Sequence, residues 1–148
     1  MTVVVPPSPA DRLKEAYSIW SESQGTATDQ WLELFADELE MRSVLSPDLP
    51  DDLAAVRSSR AGAREYFETL ARDWEMIAFD CDRFVDGGDE VVMVGRCSWR
   101  NRATGKIVDT PKVDVWRFAN GKAVDLLEMY DSLAFMRAIP FGDAMGVG

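Results

Sequence analysis

The chain has no histidine and only two cysteines, Cys81 and Cys97, among its 148 residues. Without histidine it lacks the commonest metal ligand and the commonest general base near neutral pH, so acid–base chemistry falls to Asp, Glu, Tyr, Lys or Cys. Neither a metal site nor a cofactor is expected. The cysteines fall in segments that read as neighbouring strands joined at Gly87-Gly88. A two-residue loop there pairs Asp86 with Asp89 and sets Ala78 opposite Cys97, three residues from Cys81 and so on the other face. Two free thiols are the expectation.

Cations are also scarce. Lys plus Arg number 16 against 26 Asp plus Glu, a net charge of −10, and Arg42 is the only cation between Asp29 and Asp52. This argues against nucleic-acid binding, which calls for a basic stripe that releases counterions from phosphates. No apolar run approaches the length of a bilayer span, so no membrane partner is read. The apolar patch at Val3 to Val5 lacks the basic flank and long hydrophobic core of a signal peptide, and a cytoplasmic location is the expectation. Repeats and low-complexity blocks are missing too. With 47% apolar and 28% charged residues, the chain reads as one globular domain over 1–148, with 1–8 as an N-terminal arm and 139–148 as a loose tail.

Ser8-Pro9-Ala10-Asp11 is a helix start, and Leu13, Ala16, Tyr17 and Trp20 follow at helical spacing until Gly25. A second helix is expected from Thr28, carrying Trp31, Leu32, Leu34, Phe35 and Leu39, followed by a short strand at Met41 to Leu45. A third starts near Ser59 with Ala63, Tyr66, Phe67, Leu70 and Trp74 on one stripe. The period then switches to alternation. Strands are expected at 76–86, 90–102, 106–118 and 122–131, the last hairpin turning at Asn120-Gly121. A final helical turn is read at Ser132 to Ala138. Helices followed by an antiparallel meander give an α+β fold in which helices cover one face of a curved sheet and enclose a pocket.

Within the third of these strands, Asp114, Trp116 and Phe118 share one face. A carboxylate beside aromatics must be paired, hydrogen-bonded or neutralised. Its position relative to the last strand depends on the Asn120-Gly121 loop. A three-residue loop groups Asp114 with Leu126, Glu128 and Tyr130, whereas a two-residue loop groups it with Leu127, Met129 and Asp131. Trp99 and Arg96 read as outward-facing. Tyr17 is open to a plain core reading, and Asp114 to a solvent-facing or interface role opposite Arg100 or another cation.

Four stretches, Trp31 to Glu38, Gly62 to Phe67, Val113 to Phe118 and Asn120 to Val124, together resemble the nuclear transport factor 2-like superfamily, and within it the ketosteroid isomerase and SnoaL-like enzymes. The resemblance implies a cone-shaped curved antiparallel sheet covered by three N-terminal helices, a deep pocket for a hydrophobic small molecule, and a homodimer packed through the outer sheet face. Ketosteroid isomerases hold an enolate oxygen with a tyrosine and a protonated aspartate while a second aspartate acts as base. By resemblance the first two fall on Tyr17 and Asp114. The base position falls near Ser43, which cannot take an α-proton unaided; Glu40, Glu128 and Asp131 are the replacements to weigh. Asp131 occupies a place similar to the late acid/base aspartate of SnoaL-like enzymes, whose partner histidine has no counterpart here. Met41, Ser43, Trp116, Phe118 and Tyr130 are the expected pocket residues. The implied function is a cofactor-free isomerase or lyase that stabilises an enolate. The alternative is a ligand-binding or protein-interaction domain of the same fold.

Overall fold

The computed structural model describes residues 5–141 and Gly146. Val3 and Val4 of the N-terminal patch, and residues 142–145, 147 and 148 of the tail, lie outside the described residues. Helix α1 spans Pro9–Glu22, with the Ser8 hydroxyl accepting from the Asp11 amide and proline in the first turn. It ends where Gln24 and Gly25 take positive φ of 52° and 75°, and the Gly25 amide closes on the Trp20 carbonyl. α2 is short, Asp29–Leu34. Strand β1, Phe35–Ser43, follows with no loop.

A 3₁₀ turn at Asp52–Ala54 and the short β2, Arg57–Ser59, lead to α3, Arg60–Asp73, capped by the Ser59 hydroxyl. The meander follows as β3, Trp74–Asp86; β4, Glu90–Asn101; β5, Ile107–Ala119; and β6, Lys122–Met129. α4, Ser132–Ala138, comes last. The strands form one curved, unclosed sheet in the order β2-β1-β6-β5-β4-β3. Every neighbour is antiparallel except β1 and β6.

The expected second helix stops early. Phe35 and Leu39 sit at helical spacing from Trp31, yet they belong to β1, which pairs along β6 from Phe35 opposite Ala123 to Ser43 opposite Glu128. The Arg60 guanidinium, bonded to the Phe35 carbonyl at 2.7 Å, holds that strand entry. Tertiary pairing has overridden local periodicity here. The tail also begins later than expected: Ile139 is 2% exposed and packs with Phe135 and Trp74.

α1, α2 and α3 pack on the concave face, where Leu13, Tyr17, Trp20, Trp31 and Phe67 meet Met93, Trp116 and Phe118 of the sheet. A second apolar cluster of Leu45, Leu53, Trp74, Val108, Phe135 and Ile139 closes the other end beneath α4. Tyr66, Leu70 and Trp99 touch both clusters. The candidate site lies between them.

Candidate active site

Asn120 and Gly121, with φ of 52° and 77°, form a two-residue turn that pairs Ala119 with Lys122. A bulge then advances the register, so that Asp114 stands directly opposite Glu128. The loop is that of one sequence alternative and the face grouping that of the other. One extra residue in β6 reconciles the two, turning Leu126, Glu128 and Tyr130 toward Asp114.

The inward positions of β5 are Thr110, Lys112, Asp114, Trp116 and Phe118, all buried. Lys112 is the centre of the polar cluster. Its ammonium donates to Asp114 Oδ1 and, at 2.8 Å, to Glu128 Oε2, and the Lys112 and Asp114 side chains are only 8% and 6% exposed. The Trp116 indole N–H donates to the Tyr17 hydroxyl at 2.9 Å. Indole nitrogen can only donate, so the Tyr17 proton goes to its other partner, Asp114 Oδ2. Both Asp114 oxygens therefore accept hydrogen bonds inside the protein, where the resemblance implied donation to a ligand. An ammonium two residues away on the same face is the reason.

Tyr66 from α3 donates to Glu128 Oε2 across 3.4 Å, and the Lys112 ammonium lies 5.5 Å from the centre of the Tyr130 ring. Burial first, and then repulsion from Asp114, push the Glu128 carboxyl above its ordinary value despite the opposing pull of Lys112. Burial alone would lower Lys112, but Asp114 and Glu128 more than reverse it and hold the amine charged. Tyr17 is raised by burial and by Asp114, and Tyr66 by burial and by Glu128. As an ammonium Lys112 acts as a hydrogen-bond donor rather than a nucleophile. What the cluster can do is donate hydrogen bonds to a developing oxyanion and carry a proton on Glu128.

These groups line a cavity of about 100 Å³. Its walls are chiefly aromatic, with Trp31 stacked on Trp116 at 5.6 Å and 16°. Of the residues singled out from sequence, Tyr17, Met41, Asp114, Trp116, Glu128 and Tyr130 line it. Phe118 is core behind it, and Ser43 is absent from the lining, its hydroxyl accepting from the Leu45 amide. Asp131 is exposed and caps α4 by accepting from the Ala134 amide at 3.0 Å, outside the lining. Exposed Glu40 lies 4.0 Å from the Arg42 guanidinium. Trp99 faces the cavity, contrary to the outward reading: in β4 it alternates in phase with Cys97, and Arg96 is the residue that points out to Asp109.

Sequence reasoning missed Lys112 and Tyr66. Lys112 shares the parity of Asp114 and Trp116, so alternation already carried the signal; a lysine is simply not expected indoors. Tyr66 was visible only as part of a helical stripe. Cys81 and Cys97 are free, as expected, but for another reason. The Gly87-Gly88 loop is longer than two residues, Asp86 pairing with Val91, and a bulge in β3 between Cys81 and Arg83 sets Phe79 opposite Cys97. Cys81 is thus a diagonal neighbour on the same face, about 7–8 Å away by sheet geometry and beyond disulfide reach. Among the described residues no cluster of three acidic or thiol side chains is arranged to hold a metal ion, and no helix is long and apolar enough to cross a membrane.

The curved sheet with helices on its concave face is the architecture of the nuclear transport factor 2-like class, and solved structures agree. An NTF2-like protein from Burkholderia thailandensis is 25% identical, with a TM-score of 0.76 over 90% of this chain and 98% of its own. TerC, solved with polyporic acid, is 18% identical with a TM-score of 0.73 over 87% and 95%. A protein from Jannaschia, provisionally named a SnoaL-like polyketide cyclase, is 18% identical with a TM-score of 0.68 over 93% and 97%. No curated protein matches. The SnoaL-like domain model matches residues 14–126, and the chain belongs to that family.

Proposed function

We propose that this protein is a cofactor-free enzyme that moves a proton on a hydrophobic carbonyl compound, with isomerase, cyclase or lyase outcomes following from one enolate. The observation that carries the reading is Lys112, a buried ammonium shared by Asp114 and Glu128 at the wall of an aromatic chamber. In this scheme Glu128 takes the α-proton as the C–H bond breaks, and the electron pair becomes an enolate whose oxygen faces Lys112. Glu128 then returns a proton at another carbon, after exchange with solvent or directly. The raised pKa makes Glu128 a stronger base than an ordinary carboxylate and a usable acid afterwards. Two of the three Lys112 protons are engaged, which leaves one for the ligand oxygen.

Tyr17, Trp116 and Asp114 act behind the ammonium as positioning residues rather than as oxyanion donors. Glu128 takes the role that the resemblance gave to the base position near Ser43. Support from relatives is general: the family is SnoaL-like, and neighbours of the same fold include proteins provisionally named isomerase or polyketide cyclase. The test is exchange of α-protons for deuterium in a small cyclic ketone, followed by proton NMR. Wild type should accelerate exchange, while Glu128→Gln and Lys112→Met should each lose about a hundredfold or more. Exchange at the buffer rate in wild type would refute the reading.

A non-catalytic ligand-binding pocket is the second reading, favoured by the internal satisfaction of the cluster, in which Tyr17 and both Asp114 oxygens already have partners. It predicts saturable binding without exchange. A homodimer is part of the proposal. Val92, Val94, Val113, Val115, Leu127 and Met129 are register neighbours on the convex face and only half-buried, a suitable surface for a second copy.

A further inference from the structure

The chamber's size and charge narrow what can enter it, given the reading of this cavity as the ligand site. Its volume is about 100 Å³. A dry apolar cavity of about 150 Å³ accepts benzene, so this chamber, smaller still, has room for no more than one ring. A second cavity, about 220 Å³, lies on the far side of Trp74 and Trp99, the two residues that line both spaces. Its lining is mixed, with Ser23, Thr26, Glu75 and Arg102 beside Ala71 and Met76, and Trp99 keeps it apart from the chamber.

Trp99 is held in that dividing wall. Its ring lies 6.0 Å from Trp20, and a Cβ added at Gly25 would come within 3.1 Å of both Trp99 Cη2 and Met76 Cε. Gly25 also has a φ of +75°, so backbone and packing both favour glycine there. The indole thus fills the space between the α1 C-terminus and β4, and fixes the length of the chamber.

Charge sets the second limit. One ammonium is already shared by two carboxylates, Asp114 on its own strand and Glu128 opposite. Tyr66 and Tyr17 add hydroxyls that donate to those same carboxylates, and among the described residues no further cation lines the chamber. A ligand carboxylate would be a third negative group around a single positive one in a desolvated space, where like-charge repulsion is poorly screened. A neutral carbonyl oxygen only needs the remaining ammonium proton.

We infer that the substrate class is an uncharged carbonyl compound of single-ring size, and that Trp99 is the residue that excludes larger ones. The experiment is a binding series on the intact protein, read by tryptophan fluorescence, with cyclohexenone and benzaldehyde as single rings, benzoate as the charged ring of similar size, and tetralone as the fused two-ring ketone. The single-ring carbonyls should bind saturably, and benzoate and tetralone each at least about tenfold more weakly. Trp99→Leu, or Trp99→Phe if the first variant does not fold, should bring tetralone to within a few-fold of the single rings and leave benzoate weak. Benzoate or tetralone binding as well as cyclohexenone in wild type would overturn the inference, as would the absence of saturable single-ring binding. Because the readout is binding, this selectivity can hold where α-proton exchange fails, and exchange can be seen where the selectivity fails.

Discussion

The two faces of β5 invert the usual arrangement of a half-buried strand. Its concave side carries Lys112 and Asp114 among aromatics, all buried, whereas its convex side presents Val113 and Val115, half-buried and next to Leu127 and Met129. Antiparallel strands ordinarily place charge in water and aliphatics in the core. The exchange teaches where each kind of function belongs. Desolvated charge inside is costly and is kept for chemistry, while unsatisfied apolar area outside suits a partner.

The most disruptive way to break this comparison is to remove the interior cation. Lys112→Met leaves Asp114 and Glu128 as buried, uncompensated neighbours, and should cost about 3–5 kcal/mol in denaturant unfolding. Adding Glu128→Gln should recover part of that loss. Glu128→Gln alone should abolish proton transfer with a small change in stability, and it should also remove a pH dependence. Folding raises the Glu128 pKa above its ordinary 4.5, so the native state holds that proton more tightly. The resulting stability is fully present below pH 4.5 and is lost as pH rises through the raised value. Wild type should show this decline in denaturant titrations at stepped pH, and the glutamine variant should not.

A third effect appears at alkaline pH. All three tyrosines, Tyr17, Tyr66 and Tyr130, are raised above the ordinary phenol value, in each case by burial first. Tyrosinate absorbance should therefore stay low through pH 10 and rise together with unfolding; free titration near pH 10 in the native protein would contradict the buried cluster. On the convex side, if the proposed homodimer forms, Val115→Arg should leave binding in the chamber unchanged and convert the sedimenting dimer to monomer; a wild-type monomer would refute that part of the proposal. The smallest effect concerns the thiols. Burial pushes Cys81 up to about 12 and Cys97 up to about 11, so thiol reagents should react slowly at neutral pH until the protein is unfolded.

Alternation and turn residues made the meander legible, because period 2 and Asn-Gly are local signals. They placed β3 to β6 within a few residues of their observed ends. What was not legible depended on distant pairing. β1 has helical spacing and becomes a strand because β6 lies alongside it; Asp114 faces Glu128 because of one bulge. Tyr17, Asp114 and Glu128 were identified from sequence, but not their hydrogen bonds. Asp114 was read as a donor from the family resemblance, and the Lys112 beside it in the alternation was passed over. Asp131 differs again: a helix cap and a late catalytic acid look the same in sequence, and only its exposure and its bond to Ala134 distinguish them.

The proposed chemistry depends on a proton-carrying Glu128 in contact with Lys112. The direct measurement is a carbon NMR titration of the Glu128 carboxyl in protein labelled at glutamate, assigned by comparison with Glu128→Gln. The expected result is one glutamate that titrates clearly above the others, and whose signal is missing in the variant. A Glu128 carboxyl titrating with the surface glutamates would contradict the acid–base centre proposed here.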